Sequence, residues 1–246
     1  MGFYLTTLQV DTLGIAAGTE MLFTNMYEKL IQREGDPPAP TYLLGTNSLP
    51  IQSEKALYDV AQWCRERDDL AAYLQRTPAP ELVEQWESEA VPADVSDDVW
   101  RAWQARFRDY LEAYGYSIYD LDFAKPIPAH DPTPLIQTLQ VFVRGEGRDP
   151  HARQQRLVEQ REAAIEAVHE RVGKLRRTLF DKTRGWAQMH TRLREDSIFE
   201  VGRAYPALRC MLLELGRRFV ESGVIEEPDD IFWLERAEVE KSLEAL

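Results

Sequence analysis

Apolar positions spaced three and four residues apart recur through most of this chain, and that spacing predicts amphipathic helices. The longest such pattern occupies residues 150–223. Ile165, Val168, Val172, Leu175, Leu179, Lys182, Trp186, His190 and Leu193 alternate at steps of three and four and draw one narrow seam down a helix face. Val201, Tyr205, Leu208, Leu212, Leu215 and Phe219 repeat the alternation. The pattern predicts a first helix of about 40 residues, about 60 Å long at the standard rise. The polar Arg194-Glu195-Asp196-Ser197 then joins it to a second helix that returns along it. The expected centre of the fold is therefore a long antiparallel helical hairpin with both seams buried in its core. Pro206, inside the second arm, should kink it.

The rest of the chain reads as shorter helices. An apolar stretch over 3–14 and a helical pattern from Thr19 to Glu34 come first, and Gly35-Asp36-Pro37-Pro38-Ala39-Pro40 ends them. Thr41–Leu44 is expected as a short apolar turn and 45–50 as a loop. Ser53 is the expected N-cap of a helix bearing Leu57, Val60, Ala61 and Cys64. Helices are predicted over 69–76 and 81–89. Another should start at Ser96 and carry Trp100, Trp103, Phe107, Tyr110 and Leu111 as a core-facing aromatic stripe. Gly115 closes that helix. Residues 116–130 lack a helical period and hold several aromatics, as an ordered functional loop would. A helix over 135–143 follows, opened by Asp131-Pro132-Thr133-Pro134. After Gly223, a C-cap position, residues 224–234 should dock as an extended piece or tight turn before a closing helix over 237–246. Almost nothing alternates with a period of two, so the class is all-α, a multi-helix bundle built on the hairpin. Two regions are expected: 1–149, an acidic helical subdomain with the aromatic loop, and 150–246, the hairpin with its docking segment and final helix.

Charge sharpens this picture. The net charge of −13 argues against nonspecific nucleic-acid binding. Residues 150–194 nevertheless carry 11 basic and 5 acidic side chains, a local net of +6, so a basic rod lies in an acidic chain. The two cysteines, Cys64 and Cys210, are far apart and lack metal-ligand spacing, which fits a reducing cytoplasm. No apolar run reaches membrane-spanning length, and no membrane partner is expected.

A search for self-contained chemistry finds none. The histidines are His130, His151, His169 and His190, and none stands in a nucleophile-elbow or metal-ligand context. No catalytic residue, metal or cofactor is expected. The densest unusual cluster falls at the hairpin bend: Trp186, Met189, His190, Arg192, Arg194, Glu195 and Arg203. Arginines beside an aromatic, a methionine and a histidine suit a flat or anionic ligand, or else an Arg–Glu brace. With Tyr116 from the aromatic loop, Trp186, Met189, His190, Arg194, Glu195 and Arg203 are the expected substrate-binding residues. Tyr114, Tyr116, Tyr119 and Phe123 could wall a pocket between residues 107–130 and the rod.

Several stretches together carry a family resemblance. They are Leu193-Arg194-Glu195-Asp196, then Ala207-Leu208-Arg209 running on to Met211-Leu212-Leu213-Glu214-Leu215-Gly216-Arg217-Arg218, and Gly223-Val224-Ile225 followed by Pro228-Asp229-Asp230-Ile231-Phe232-Trp233-Leu234. Tyr42-Leu43-Leu44-Gly45 with Ala56-Leu57-Tyr58-Asp59-Val60-Ala61, and the helix end at Phe107, Tyr110, Leu111, Tyr114 and Gly115, agree with them. The whole resembles the central helical region of phosphoenolpyruvate-synthase-like proteins, of which rifampicin phosphotransferases are members. The resemblance implies a division of labour: an ATP-grasp domain, a swivelling domain that carries the phosphoryl group on a histidine, and a helical region that receives the acceptor. This chain shows neither the ATP-grasp glycine-rich loop nor the Ser-His swivelling motif. Where such proteins often have His-Arg-Gly after the Tyr-Gly pair, it has Tyr116-Ser117-Ile118. The expectation is a non-catalytic substrate-binding or scaffolding domain, with ATP-grasp and swivelling-histidine domains as partners. A stand-alone binder of a bulky small molecule and a protein-interaction module are the alternatives.

Overall fold

The computed structural model describes residues 2–88, 90–117, 122, 124–201 and 205–243; within these, the side chains of residues 2–10, 198, 201 and 205 are not described. Ten α-helices are described: α1 (Gly2–Leu30), α2 (Leu49–Arg65), α3 (Asp68–Arg76), α4 (Ala79–Glu87), α5 (Asp97–Tyr114), α6 (Thr133–Val143), α7 (Pro150–Arg171), α8 (Lys174–Val201), α9 (Tyr205–Glu221) and α10 (Arg236–Leu243). Two 3-10 turns, Ala39–Leu43 and Pro228–Trp233, complete the order, and no strand occurs among the described residues. The all-α class is the one that the apolar spacing predicts.

The rod departs from its expected form. The chain is helical up to Arg171, extended at Val172 (ψ 141°), and helical again from Lys174. It reverses there. His169 Nε2 lies 2.9 Å from Asp181 Oδ1, although twelve residues of unbroken helix would hold them about 18 Å apart. Residues on either side of this turn border the same depressions: Arg161 and Gln188 line one, Leu157 and Glu195 another. From this turn α7 and α8 diverge, and both contact residues 42–47. Arg161 Nη1 donates to Leu44 O at 2.8 Å and Gln188 Nε2 to Tyr42 O at 3.2 Å. Arg194–Ser197, the expected bend, lies inside α8, and its expected return arm α9 packs instead on the 3-10 turn Pro228–Trp233. Pro206 is not a mid-helix kink. It occupies the second position of α9, where its missing N–H costs nothing.

The main neighbour of α8 is α1, one continuous helix across both apolar stretches read near the N-terminus. The two run antiparallel. Thr12 Oγ1 is 3.2 Å from Ser197 Oγ, Thr191 Oγ1 donates to Glu20 Oε1 at 2.5 Å, and the Phe23 and Phe180 rings lie 5.6 Å apart. The face of α8 buried there carries Phe180, Thr183 and Ala187, and small side chains bring the helices close. The predicted seam lies about 100° around the helix from that face, one residue's rotation. Ile165 and Val168 are buried, but Leu175 is 85% exposed, Trp186 48%, and Leu179 and Leu193 are exposed too. The expectation of a buried seam fails for α8 because the reversal at Gly173 sets its orientation independently of α7.

Two apolar clusters form the core. One joins α2 to α6 around Trp100, Trp103, Phe107, Leu70, Leu74, Leu82 and Ile136. The aromatic stripe of α5 is its spine, with Trp100 and Trp103 rings 4.7 Å apart. The other joins Phe23 and Tyr27 of α1, Tyr42, Ile165 and Val168 of α7, and Phe180 and Ala187 of α8. At its end Arg171 makes a two-point ion pair with Asp36, Nη1 to Oδ1 at 2.8 Å and Nη2 to Oδ2 at 2.5 Å. Helix α2 starts earlier than expected, at Leu49 after Ser48, so Ser53 is a helix-interior residue rather than a cap. The capping role passes to Asp196 of α8, whose Oδ1 accepts from Leu49 N at 2.7 Å, a carboxylate on the positive end of the α2 dipole.

Candidate functional site

Of the residues singled out at the expected bend, Trp186, Met189, His190, Arg192, Arg194 and Glu195 lie on α8 but do not converge. Arg194 reaches toward α1, 3.8 Å from Glu20, and lies 4.0 Å from Glu195, which makes it a brace between helices. Met189 lines a shallow depression with Arg161, Arg192 and Asp196 against residues 45–47. Glu195 borders a different one with Ile51, Arg153 and Leu157. Trp186 stands half-exposed, and His190 keeps a buried Nδ1 that has no hydrogen-bond partner. Tyr116 is exposed beyond the end of α5 and lines neither depression. Arg203, with Tyr119 and Phe123 of the aromatic loop, lies outside the described residues.

A more apolar space lies elsewhere. A cavity of about 280 Å³ opens between α2, α5 and α6, with Phe199 of α8 on one side. Its wall is apolar: Pro50, Leu57, Leu135, Phe142 and Phe199. Its polar groups are few. Ser53 Oγ and Tyr110 Oη share a hydrogen bond of 2.8 Å. Ser117 Oγ donates to Tyr114 O at 3.0 Å and Thr138 Oγ1 to Pro134 O at 2.9 Å, so both hydroxyl protons are committed to the backbone while their lone pairs stay available. At the rim the Glu54 carboxylate is paired with Arg153 of α7. An apolar chamber with a few fixed polar groups is the general form of a small-molecule site.

Helix periodicity sets which side chains reach this cavity. Ser53 and Leu57 fall on one face of α2, four residues apart. Tyr110 closes the aromatic stripe of α5, the point where a buried ring still has a hydroxyl to place. Leu135, Thr138 and Phe142 share one face of α6. No single segment holds the signal, because the wall takes residues from four helices. The nearest sequence clue was the loop after Tyr114, from which Ser117 rather than Tyr116 reaches the wall.

Other titratable groups are dispersed. His151 Nε2 meets Asp59 Oδ1 at 2.8 Å, about 120° around α2 from Ser53. His130 lies 3.9 Å from Cys210 Sγ, and burial, aided by the Arg209 charge, holds its imidazole below the usual histidine range. Burial pushes the Cys64 thiol up to about 12 and raises the Tyr27 and Tyr42 hydroxyls. Among the described residues no group of three or more His, Cys, Asp or Glu is placed to hold a metal ion. No helix among them is long and apolar enough to cross a membrane.

The loop over 45–48 is occupied by protein contacts. Gly45 sits at φ +72° with Val158 of α7 packed where a Cβ would project, so this glycine allows the close approach of loop and helix. Asn47 Oδ1 accepts from Gln154 Nε2 at 3.3 Å and from Lys55 Nζ at 3.3 Å. The neighbouring α2 N-terminus already holds the Asp196 carboxylate.

Comparison with known proteins adds an independent line. Residues 13–195 match the family described as the rifampicin phosphotransferase fourth domain. Among curated proteins, the chain is 24% identical over 248 residues to the uncharacterised phosphotransferase YvkC of Bacillus subtilis, covering 98% of this chain and 28% of that protein. It is 25% identical over 219 residues to chondramide synthase cmdD of Chondromyces crocatus, covering 87% of this chain and 5% of that protein. The chain therefore spans a small part of the length of either relative.

Proposed function

Since this chain belongs to the rifampicin phosphotransferase fourth-domain family, we propose that it is a helical acceptor-holding or scaffolding domain of a phosphotransferase and does not itself transfer the phosphoryl group. The observation that carries this reading is the apolar cavity framed by Ser53, Tyr110, Leu135, Phe142 and Phe199. It offers shape and a few hydroxyls, which suit holding an acceptor. It presents no lysine or glycine-rich loop to a nucleotide's phosphates. In the Bacillus relative the matching region is 28% of a much longer phosphotransferase, so the chemistry there has ample room in the remainder. ATP-grasp and swivelling-histidine domains are the partners this reading requires, and the unpaired cysteines fit a cytoplasmic setting.

The test is phosphoryl transfer from radiolabelled ATP to candidate acceptors. This chain alone should label nothing. Adding an ATP-grasp protein and a swivelling-histidine protein from the same family should yield labelled acceptor. Labelling by the isolated chain would overturn the assignment.

A second reading has one specific support. The match within chondramide synthase, at 5% of that protein's length, places a similar domain in a protein not named a phosphotransferase. An interaction or scaffolding module that serves different chemistries would account for both relatives. Salt-dependent association of the chain with an ATP-grasp protein, without any acceptor present, would favour this version.

A further inference from the structure

We propose that the cavity between α2, α5 and α6 binds a compact, uncharged and largely apolar molecule, about a dozen non-hydrogen atoms in size, that carries one hydroxyl. This deepens the acceptor-holding reading and rests on it, since it names the kind of molecule held.

Size comes first. Protein interiors are packed so closely that voids much larger than a water are few. A lined apolar cavity of about 150 Å³ is enough to take benzene. The space here is about 280 Å³, nearly twice that, and so accommodates a fused two-ring or short branched skeleton. A macrocycle of several dozen atoms does not fit within it, which narrows the expectation of a bulky ligand drawn from the sequence.

Chemistry comes second. Leu57, Leu135, Phe142, Phe199 and Pro50 make an uncharged wall on which an ionised ligand would lose its hydration without recompense. The one carboxylate at the rim, Glu54, already has Arg153 as its partner, and it would repel an anion. Ser53 Oγ, 2.8 Å from Tyr110 Oη, keeps a lone pair to which a ligand hydroxyl can donate. Ser117 and Thr138 add acceptor lone pairs, their protons being spent on backbone carbonyls. The arrangement therefore selects a neutral molecule with one hydroxyl over both its hydrocarbon parent and a charged analogue.

Isothermal titration calorimetry of the full chain with 1-naphthol, naphthalene and 1-naphthalenesulfonate tests this. The expected result is saturable binding of 1-naphthol, weaker binding of naphthalene and none of the sulfonate. Thr138→Trp, at an exposed rim position of α6, should plug the mouth, leave the melting temperature unchanged and weaken 1-naphthol binding by at least about tenfold. Ser53→Phe plugs from α2 and guards against a folding defect in the first variant. Tyr110→Phe should weaken 1-naphthol several-fold and leave naphthalene unaffected. No saturable binding of 1-naphthol, or binding that both plugged variants retain, would overturn the proposal. Labelled acceptor appearing in the reconstituted transfer assay despite that outcome would leave the acceptor-holding role intact and place its site elsewhere.

Discussion

Asp36 and Arg171 show how a single pair can tie distant parts of the chain together. The pair links the end of the proline-rich connection after α1 to the last turn of α7, with both side chains less than one-fifth exposed. Removing one partner leaves the other poorly solvated, so Asp36→Asn should destabilise the protein at pH 7 by about 1–3 kcal/mol, read by urea denaturation. The hydrogen bonds from Arg171 hold the Asp36 carboxyl below its ordinary value of 3.8. In that range the folded state binds fewer protons than the unfolded chain. The stabilisation is thus complete above the ordinary value and is lost as pH falls through the lowered one. The gap between wild type and Asp36→Asn should close under acid and stay constant from pH 5 to 7. The cysteines give a second check at this scale. Cys64 is fully buried with a thiol pushed up to about 12, whereas Cys210 is exposed. Ellman's reagent at pH 8 should titrate Cys210 alone in the native protein and both thiols in guanidinium.

At the level of elements, what the sequence could reveal depended on whether a helix's burial was decided within its own segment. The α5 stripe was legible because Trp100, Trp103, Phe107, Tyr110 and Leu111 are large, regularly spaced and all buried on one side. The orientation of α8 was not legible. Its apolar stripe at Leu175, Leu179, Trp186 and Leu193 is more hydrophobic than the Phe180, Thr183 and Ala187 face that α1 covers, and spacing alone selects the greasier stripe. The reversal at Val172-Gly173 was hidden because one glycine interrupts a helical pattern too weakly to announce a turn. The cavity was hidden for a related reason: each of its four helices contributes one to four residues that look like ordinary core or rim. The 3-10 turn Pro228–Trp233 packs on α9, and its contact gives a sharp prediction. Gly216 of α9 lies directly against Pro228, and a Cβ there would collide with the Pro228 carbonyl. Gly216→Ala should cost about 1–3 kcal/mol through overpacking. Hydrogen exchange should rise first at Asp230, whose N–H donates to Glu227 O at 3.0 Å inside the displaced turn. Unchanged exchange there would show that α9 shifts instead.

For the molecule as a whole the question is whether the two apolar clusters unfold together. The α2–α6 cluster contains the cavity walls contributed by Leu57, Tyr110, Leu135 and Phe142, while the α1–α7–α8 cluster forms the frame beside it. They are joined where α2 packs on α7 and α8, through the Asp196 cap on Leu49 and the Arg153–Glu54 pair at the cavity rim. With the edge-on Tyr114–Phe199 ring contact, these links are still sparse beside the aromatic packing within each cluster, so each cluster should be able to open while the other holds. Phe23 is fully buried against Tyr27, Tyr42 and Phe180, and Phe23→Ala should remove about 3–5 kcal/mol from its own cluster. Native-state hydrogen exchange then separates two outcomes. Protection in α1 and α8 should fall by the full amount while the α5 amides keep theirs, and 1-naphthol should still bind with slightly reduced affinity, since Phe199 loses its support. Equal loss of protection in α5 would mean that the frame and the chamber form one cooperative unit. In that case the sparse joints transmit as much stability as the aromatic cores they connect, and any partner that grips the α1–α8 face would tighten the cavity from a distance.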